Sequence, residues 1–156
     1  MKYVTFNIAQ KLKEKGFDEK CTKYFLEKDK QIHTGFQDEY WGDYSEINWN
    51  QKVIGIKPFT GFISAPTISD VVDWLLNEHQ INIHISAVGK EETTFKECKW
   101  WFSLYKDTVY NLKESTVFLN TGIKEFNSKK EACLAAIEYA LDFITIYNSN
   151  DTSSDS

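Results

Sequence analysis

Between Thr67 and Ser86 the hydrophobic positions change period once, which predicts a helix followed at once by a strand. Ile68, Val71, Val72, Leu75 and His79 recur at helical spacing on one face, with Ser69, Asp70, Asp73, Asn77 and Glu78 opposite. Beyond Gln80, Ile81, Ile83 and Ile85 alternate with Asn82, His84 and Ser86, the period of a strand with one buried face. Thr67 is placed to cap the helix. Asp70, three residues on, completes a capping box in which two otherwise orphaned amides find acceptors.

The same pattern reading extends along the chain. Thr5 to Lys15 reads as a short helix with Ile8, Ala9 and Leu12 on one side, a cap at Thr5 and Gly16 just past its end. Cys21 to Leu26 is rich in strand formers but does not alternate, so an edge strand is expected. Lys52 to Ile56 reads as a strand and Lys57 to Gly61 as a turn. In Glu97 to Tyr105, Cys98, Trp100, Phe102 and Leu104 alternate with Lys99, Trp101, Ser103 and Tyr105, as in a central strand. Val109 to Leu112 and Thr116 to Leu119 would continue it as a meander. Ser128 with Glu131 is a second capping box, opening a helix of about twenty residues whose stripe is Cys133, Ala136, Ile137, Ala140, Leu141 and Ile144. After Tyr147 the Asn/Ser/Asp run 148–156 has nothing to bury and is expected to be disordered.

With no internal repeat and no Pro/Ser/Gly linker, this order of elements predicts one α+β domain over residues 1–147. Its expected form is two-layer, an antiparallel meander sheet with two to three helices on one face.

Composition supports a packed core: of 156 residues, 42% are hydrophobic and 15% aromatic. No run of eighteen apolar residues and no leader-like start is present, so a soluble, cytoplasmic protein with no membrane partner is expected. Cys21, Cys98 and Cys133 are odd in number and widely spaced, which disfavours disulfides and zinc knuckles. Cys98 and Cys133, on apolar faces, are expected as buried free thiols; Cys21 is left open.

Every basic side chain is a lysine, although phosphate and guanine recognition normally use the guanidinium fork. The net charge is −5. No nucleic-acid partner is expected. The charge is uneven: residues 1–30 hold eight lysines and five carboxylates, leaving the rest of the chain net −8.

Motifs for chemistry are sparse. The seven glycines are isolated, so no phosphate-cradling loop is present, and no cofactor is expected. Glu78, His79 and His84 have the side chains of a transition-metal site, but His79 belongs to the helix's apolar face and His84 to the strand's polar face, so no metal site is expected. Cys21 with His33, His79 or His84 offers a nucleophile and base only if the fold brings them together. No catalytic residue is assigned.

One segment stands apart. Ile32 to Asn50 loses all periodicity and holds five aromatics and four carboxylates without a lysine. Long irregular segments of this kind often carry function. Phe36, Asp38, Glu39, Tyr40, Trp41, Asp43, Tyr44 and Trp49 are the candidate binding residues, because aromatic anchors with a polar rim are the usual composition of a protein-binding surface. Asp38, Glu39, Asp43 and Glu46 among Tyr40, Trp41, Tyr44 and Trp49 also suit paired glycosidase carboxylates beside sugar-stacking rings, and the segment equally suits a loop that folds its own rings onto the core.

Three separated blocks, Val4 to Glu19, Ser64 to Leu75 and Glu131 to Leu141, resemble small uncharacterised proteins carried by phages and prophages of gut Bacteroides-type bacteria. The resemblance implies a phage-encoded or mobile-element accessory protein of the cytoplasm. It brings no activity or catalytic residue, and Ile32 to Asn50 lies outside it. The expectation is therefore a non-enzymatic protein that contacts a protein partner through an aromatic acidic surface. The alternatives are a small enzyme or ligand-binding domain with a pocket between sheet and helices, and an acidic inhibitor that imitates nucleic acid.

Overall fold

A computed structural model of the chain describes residues 2–38, 42–51, 53–54, 57–58, 61–88, 98–106, 116–120 and 124–150, and these form an α+β fold. Its first helix, α1 (Phe6–Glu14), begins where the sequence predicts, with the Thr5 hydroxyl accepting from the Ile8 amide at 3.4 Å. It ends in a Schellman turn. Gly16 at φ +83° donates to the Lys13 carbonyl at 3.2 Å, Phe17 donates to the Leu12 carbonyl at 3.0 Å, and Leu12 and Phe17 are both buried. Glycine adopts this left-handed position without a Cβ penalty.

Next, β1 (Lys23–Leu26) and β2 (Ile32–Thr34) form one antiparallel hairpin, and β3 (Phe36–Asp38) and β4 (Gly42–Tyr44) a second. A short ladder joins β5 (Val53–Ile54), in the expected strand, to β6 (Lys57–Pro58), in the stretch expected to turn, and β7 (Phe62–Ser64) pairs antiparallel with the other side of β1. Thus β1 is the central strand of a three-stranded sheet, where an edge strand was expected. The missing alternation has a physical cause. Tyr24 and Phe25 are neighbours, point to opposite faces, and are both buried, as in a strand covered on both sides. Similarly, β2, β3 and β4 are three residues each, too short to display a period.

Helix α2 (Ile68–His79) opens with the predicted capping box: the Thr67 amide donates to Asp70 Oδ2 at 2.8 Å and the Asp70 amide to Thr67 Oγ1 at 3.2 Å. Its buried stripe is Val71, Trp74 and Leu75, while Val72 is only half-buried. The large indole takes one flank of the stripe and leaves Val72 on the other. Two compact units divide the chain, Met1–Asp70 and Val71–Ser156, and the boundary falls inside α2, where no change of composition marks it.

In the second unit, Gln80 at φ +57° leads from α2 into β8 (Ile81–Val88). β9 (Lys99–Lys106) lies between β8 and β10 (Thr116–Asn120), and both pairings are antiparallel. β9 is therefore central, as its alternation predicts; Val109 to Leu112 lies outside the described residues. Among the described residues the strands fall into two three-stranded sheets and two short ladders, all antiparallel, and only β8, β9 and β10 make a meander. Helix α3 (Lys129–Asn150) packs on β8 and β9. The Ser128 half of its predicted capping box is formed, the Glu131 amide donating to Ser128 Oγ at 3.1 Å, while Glu131 Oε2 accepts from the Asn127 amide, one residue before the cap, at 3.1 Å. Ala132, Ala136, Ile137, Ala140, Leu141 and Ile144 are buried along it. The helix continues through Asn150, past the expected end at Tyr147. None of the helices among the described residues is long and apolar enough to cross a membrane.

Candidate functional site

The segment that loses periodicity is held in the first unit by its C-terminal end. Cys21 and Ile47 exchange backbone hydrogen bonds, 2.8 Å from the Cys21 amide and 3.3 Å from the Ile47 amide. Just beyond, the Trp49 amide donates to Ser64 Oγ at 3.1 Å and Trp49 Nε1 to the Cys21 carbonyl at 2.7 Å. Asn50 completes the anchor, its Nδ2 donating to the Phe17 carbonyl at 2.8 Å and its Oδ1 accepting from the Ser64 amide at 3.0 Å. Asn48 Oδ1 turns the chain between them by accepting from the Asn50 amide at 2.9 Å. Each polar group taken out of water here has a partner, as burial requires.

Trp49 is consequently core, at 0% exposure, and not part of a binding surface. Its ring centroid lies 4.2 Å from Tyr24 and 5.9 Å from Phe62. The β3–β4 hairpin is placed differently. Phe36 and Tyr44 are directly opposite across the two strands, with ring centroids 5.4 Å apart, and Phe36 is 41% exposed. Phe36 also lies 6.2 Å from the Trp49 ring, so the exposed Phe36 rests on the buried indole, while Tyr44 is half-buried. Gly35 makes this approach possible: a Cβ there would meet the Tyr44 carbonyl oxygen at 2.3 Å and the Ser45 carbonyl oxygen at 2.7 Å.

Beside the hairpin is an open cleft of about 360 Å³ lined by Asp18, Lys20, Asp43, Glu46, Ile47, Asn48 and Gln51. Three carboxylates face one lysine there. Asp43 accepts from the Ser45 amide at 2.8 Å and from Gln37 Nε2 at 3.2 Å; hydrogen bonds from Ser45, above all, hold its carboxyl below the usual carboxylate range. It is ionised at neutral pH. Of the other candidate residues, Asp38 contributes its backbone to β3, and Glu39, Tyr40 and Trp41 lie outside the described residues. The hairpin therefore brings together Phe36, Asp43 and Tyr44, and the cleft adds Asp18 and Glu46, of which Asp18 was not a sequence candidate. The Asp18 signal was present only as a carboxylate in the turn after Gly16.

Elsewhere in this unit His33 Nε2 lies 3.1 Å from Asp29 Oδ2, and its ring stacks on Tyr24 with centroids 5.4 Å apart. Asp29 sits below its ordinary range, chiefly because it accepts from the Gln31 amide and also because of His33; burial pushes the Tyr24 hydroxyl up, with Asp29 adding. Cys98 and Cys133, expected to be buried, are only half-buried, and Cys21, which the sequence left open, is the buried cysteine. Burial, with Asp70 adding, pushes the Cys21 thiol up to about 12, so it stays protonated, the opposite of what a nucleophile needs.

In the second unit the three side chains weighed as metal ligands are not gathered. His79 closes α2 with its ring edge-on to Trp74 at 4.5 Å, and its Nε2 is buried without a hydrogen-bond partner; His84 is exposed on β8. Among the described residues no group of three or more His, Cys, Asp or Glu side chains is placed to hold a metal ion.

Comparison of the chain with protein-family models, with curated proteins and with solved structures finds no match.

Proposed function

We propose that this chain is a non-enzymatic binding protein, an accessory factor of the phage or mobile-element kind acting in the cytoplasm, and that it engages a protein partner through the β3–β4 hairpin and the neighbouring cleft. The observation that carries the reading is the Phe36–Tyr44 pair, an aromatic contact left at the surface beside three carboxylates. Exposed rings rimmed by charge are the usual anchors of protein interfaces. The carboxylates define the partner's chemistry: a lysine- or arginine-bearing segment with an apolar side chain to set against Phe36. A catalytic acid would need its pKa raised towards neutrality, whereas Asp43 is held low.

The test is capture on immobilised cationic peptides and from host lysate, comparing the wild type with Phe36→Ser, Tyr44→Ser and Asp43→Asn/Glu46→Gln. Capture should weaken in each variant and fall with added salt, because surface charge pairs are screened within about 10 Å at 0.1 M salt. Equal capture by all four proteins, or none at any salt, would remove this surface as the site of function.

A further inference from the structure

The two edges of the second unit's sheet are built differently. β10 pairs with β9 through a register shift between Val117 and Leu119, the kind of irregularity that blunts an edge. β8 pairs with β9 without a shift over eight residues, from Ile81 opposite Lys106 to Val88 opposite Lys99. Among the described residues β8 hydrogen-bonds on that side only. Its sequence, Ile-Asn-Ile-His-Ile-Ser-Ala-Val, has no lysine, no carboxylate and no proline, the devices that usually protect a free edge.

The side chains of β8 are also incompletely covered. Phe102 and Leu104, the β9 partners of Ile85 and Ile83, are fully buried, yet both isoleucines are only half-buried. On the opposite face Asn82 and His84 are exposed.

We infer that two copies of this chain pair antiparallel along β8, about a two-fold axis at His84, to make one six-stranded sheet. The occupant is a second copy because the strand complements itself. With His84 opposite His84, Ile83 falls opposite the other copy's Ile85, and Asn82 opposite Ser86, so apolar meets apolar and amide meets hydroxyl with no like charges apposed. This register keeps every side chain on the face it already occupies, since it pairs residues of the same parity.

The register makes the test specific. In Asn82→Lys/Ser86→Glu each new lysine faces a new glutamate across the axis, twice; in Asn82→Lys/Ser86→Lys lysine faces lysine, twice. Sedimentation of the full chain from micromolar to submillimolar concentration should show a dimer for the wild type and the Lys/Glu protein, and about tenfold or more weaker association for the Lys/Lys protein. Thermal melts establish that the variants are folded. A measurement on the wild type alone stands beside this: β8 amides should become protected from hydrogen exchange as concentration rises. A monomer throughout the range, a dimer equally strong in both variants, or β8 exchange independent of concentration each overturns the pairing.

Discussion

Trp49 Nε1 donates to the Cys21 carbonyl at 2.7 Å, joining two buried residues that are far apart in sequence and fixing where the aromatic segment meets the core. Replacing Trp49 with Ala should cost about 3 to 5 kcal/mol through lost burial and the cavity left beside Tyr24 and Phe62. Trp49→Phe keeps most of the packing and loses the donor, at about 1 to 2 kcal/mol. Phe36→Ser, at the exposed end of the same aromatic group, should stay within about 0.5 kcal/mol of the wild type. Urea titrations order the three. A Phe36 variant as damaging as Trp49→Ala would mean that the hairpin belongs to the core.

Gly35→Ala tests the close approach of the two hairpin strands. The obstructing atoms are backbone carbonyl oxygens, which cannot rotate away as a side chain would, so the hairpin must open or β3 must shift. A loss of roughly 2 kcal/mol is expected, within the range for strain at a special backbone position. Gly16→Ala meets no atom within 4 Å, but its φ of +83° makes the change cost about 1 kcal/mol. The order Gly35 above Gly16, read from thermal melts, separates steric exclusion from conformational preference.

What the sequence disclosed follows from the length of each signal. Three caps, at Thr5, Thr67 and Ser128, were legible because capping uses fixed residue types at fixed offsets, and the α3 stripe and the central β9 because each repeats its period several times. The strands β2, β3 and β4 were not, since three residues establish no period. Nor was the central position of β1, because burial on both faces erases alternation. At the site, the aromatic and acidic composition located the segment, but nothing local distinguishes Phe36, left at the surface, from Trp49, taken into the core. That difference is made by Asn50 and Ser64, whose long-range hydrogen bonds draw the chain inward just past Asn48.

The buried stripes give a sharper pair of core tests. Val71→Asp and Ile137→Asp each place an unpaired carboxylate at a fully buried position, costing several kcal/mol and unfolding the unit that contains it. Val72→Asp, at a half-buried site, should be the milder change. Circular dichroism melts compare them directly, and a Val72 variant that unfolds while the Val71 variant does not would reverse the helix's orientation.

Thiol chemistry distinguishes the cysteines. With the Cys21 thiol pushed up to about 12 by burial, iodoacetamide at pH 8 should leave it unmodified in the folded protein while denaturant exposes it to rapid labelling. Peptide mapping by mass spectrometry reads the result; prompt native labelling of Cys21 would show that its pocket opens on the timescale of alkylation.

His79 sets the sign of a pH dependence. Burial pulls its pKa below the ordinary 6.5, against an opposing Glu78 carboxylate and with Lys106 adding, and its Nε2 has no acceptor for a second proton's hydrogen bond. The folded chain therefore binds this proton more weakly than the unfolded chain. Stability is complete above the unfolded value near 6.5 and declines as the pH falls below it, until the folded state too is protonated. His79→Leu removes the titrating group and keeps an apolar side chain against Trp74, so its stability should be flatter between about pH 6.5 and 5. Urea denaturation at several pH values in that window measures the slope for both proteins. Parallel slopes would assign the acid sensitivity to other groups, with Asp29 and Asp43, both held below the ordinary 3.8, contributing only at lower pH as their carboxylates take up protons.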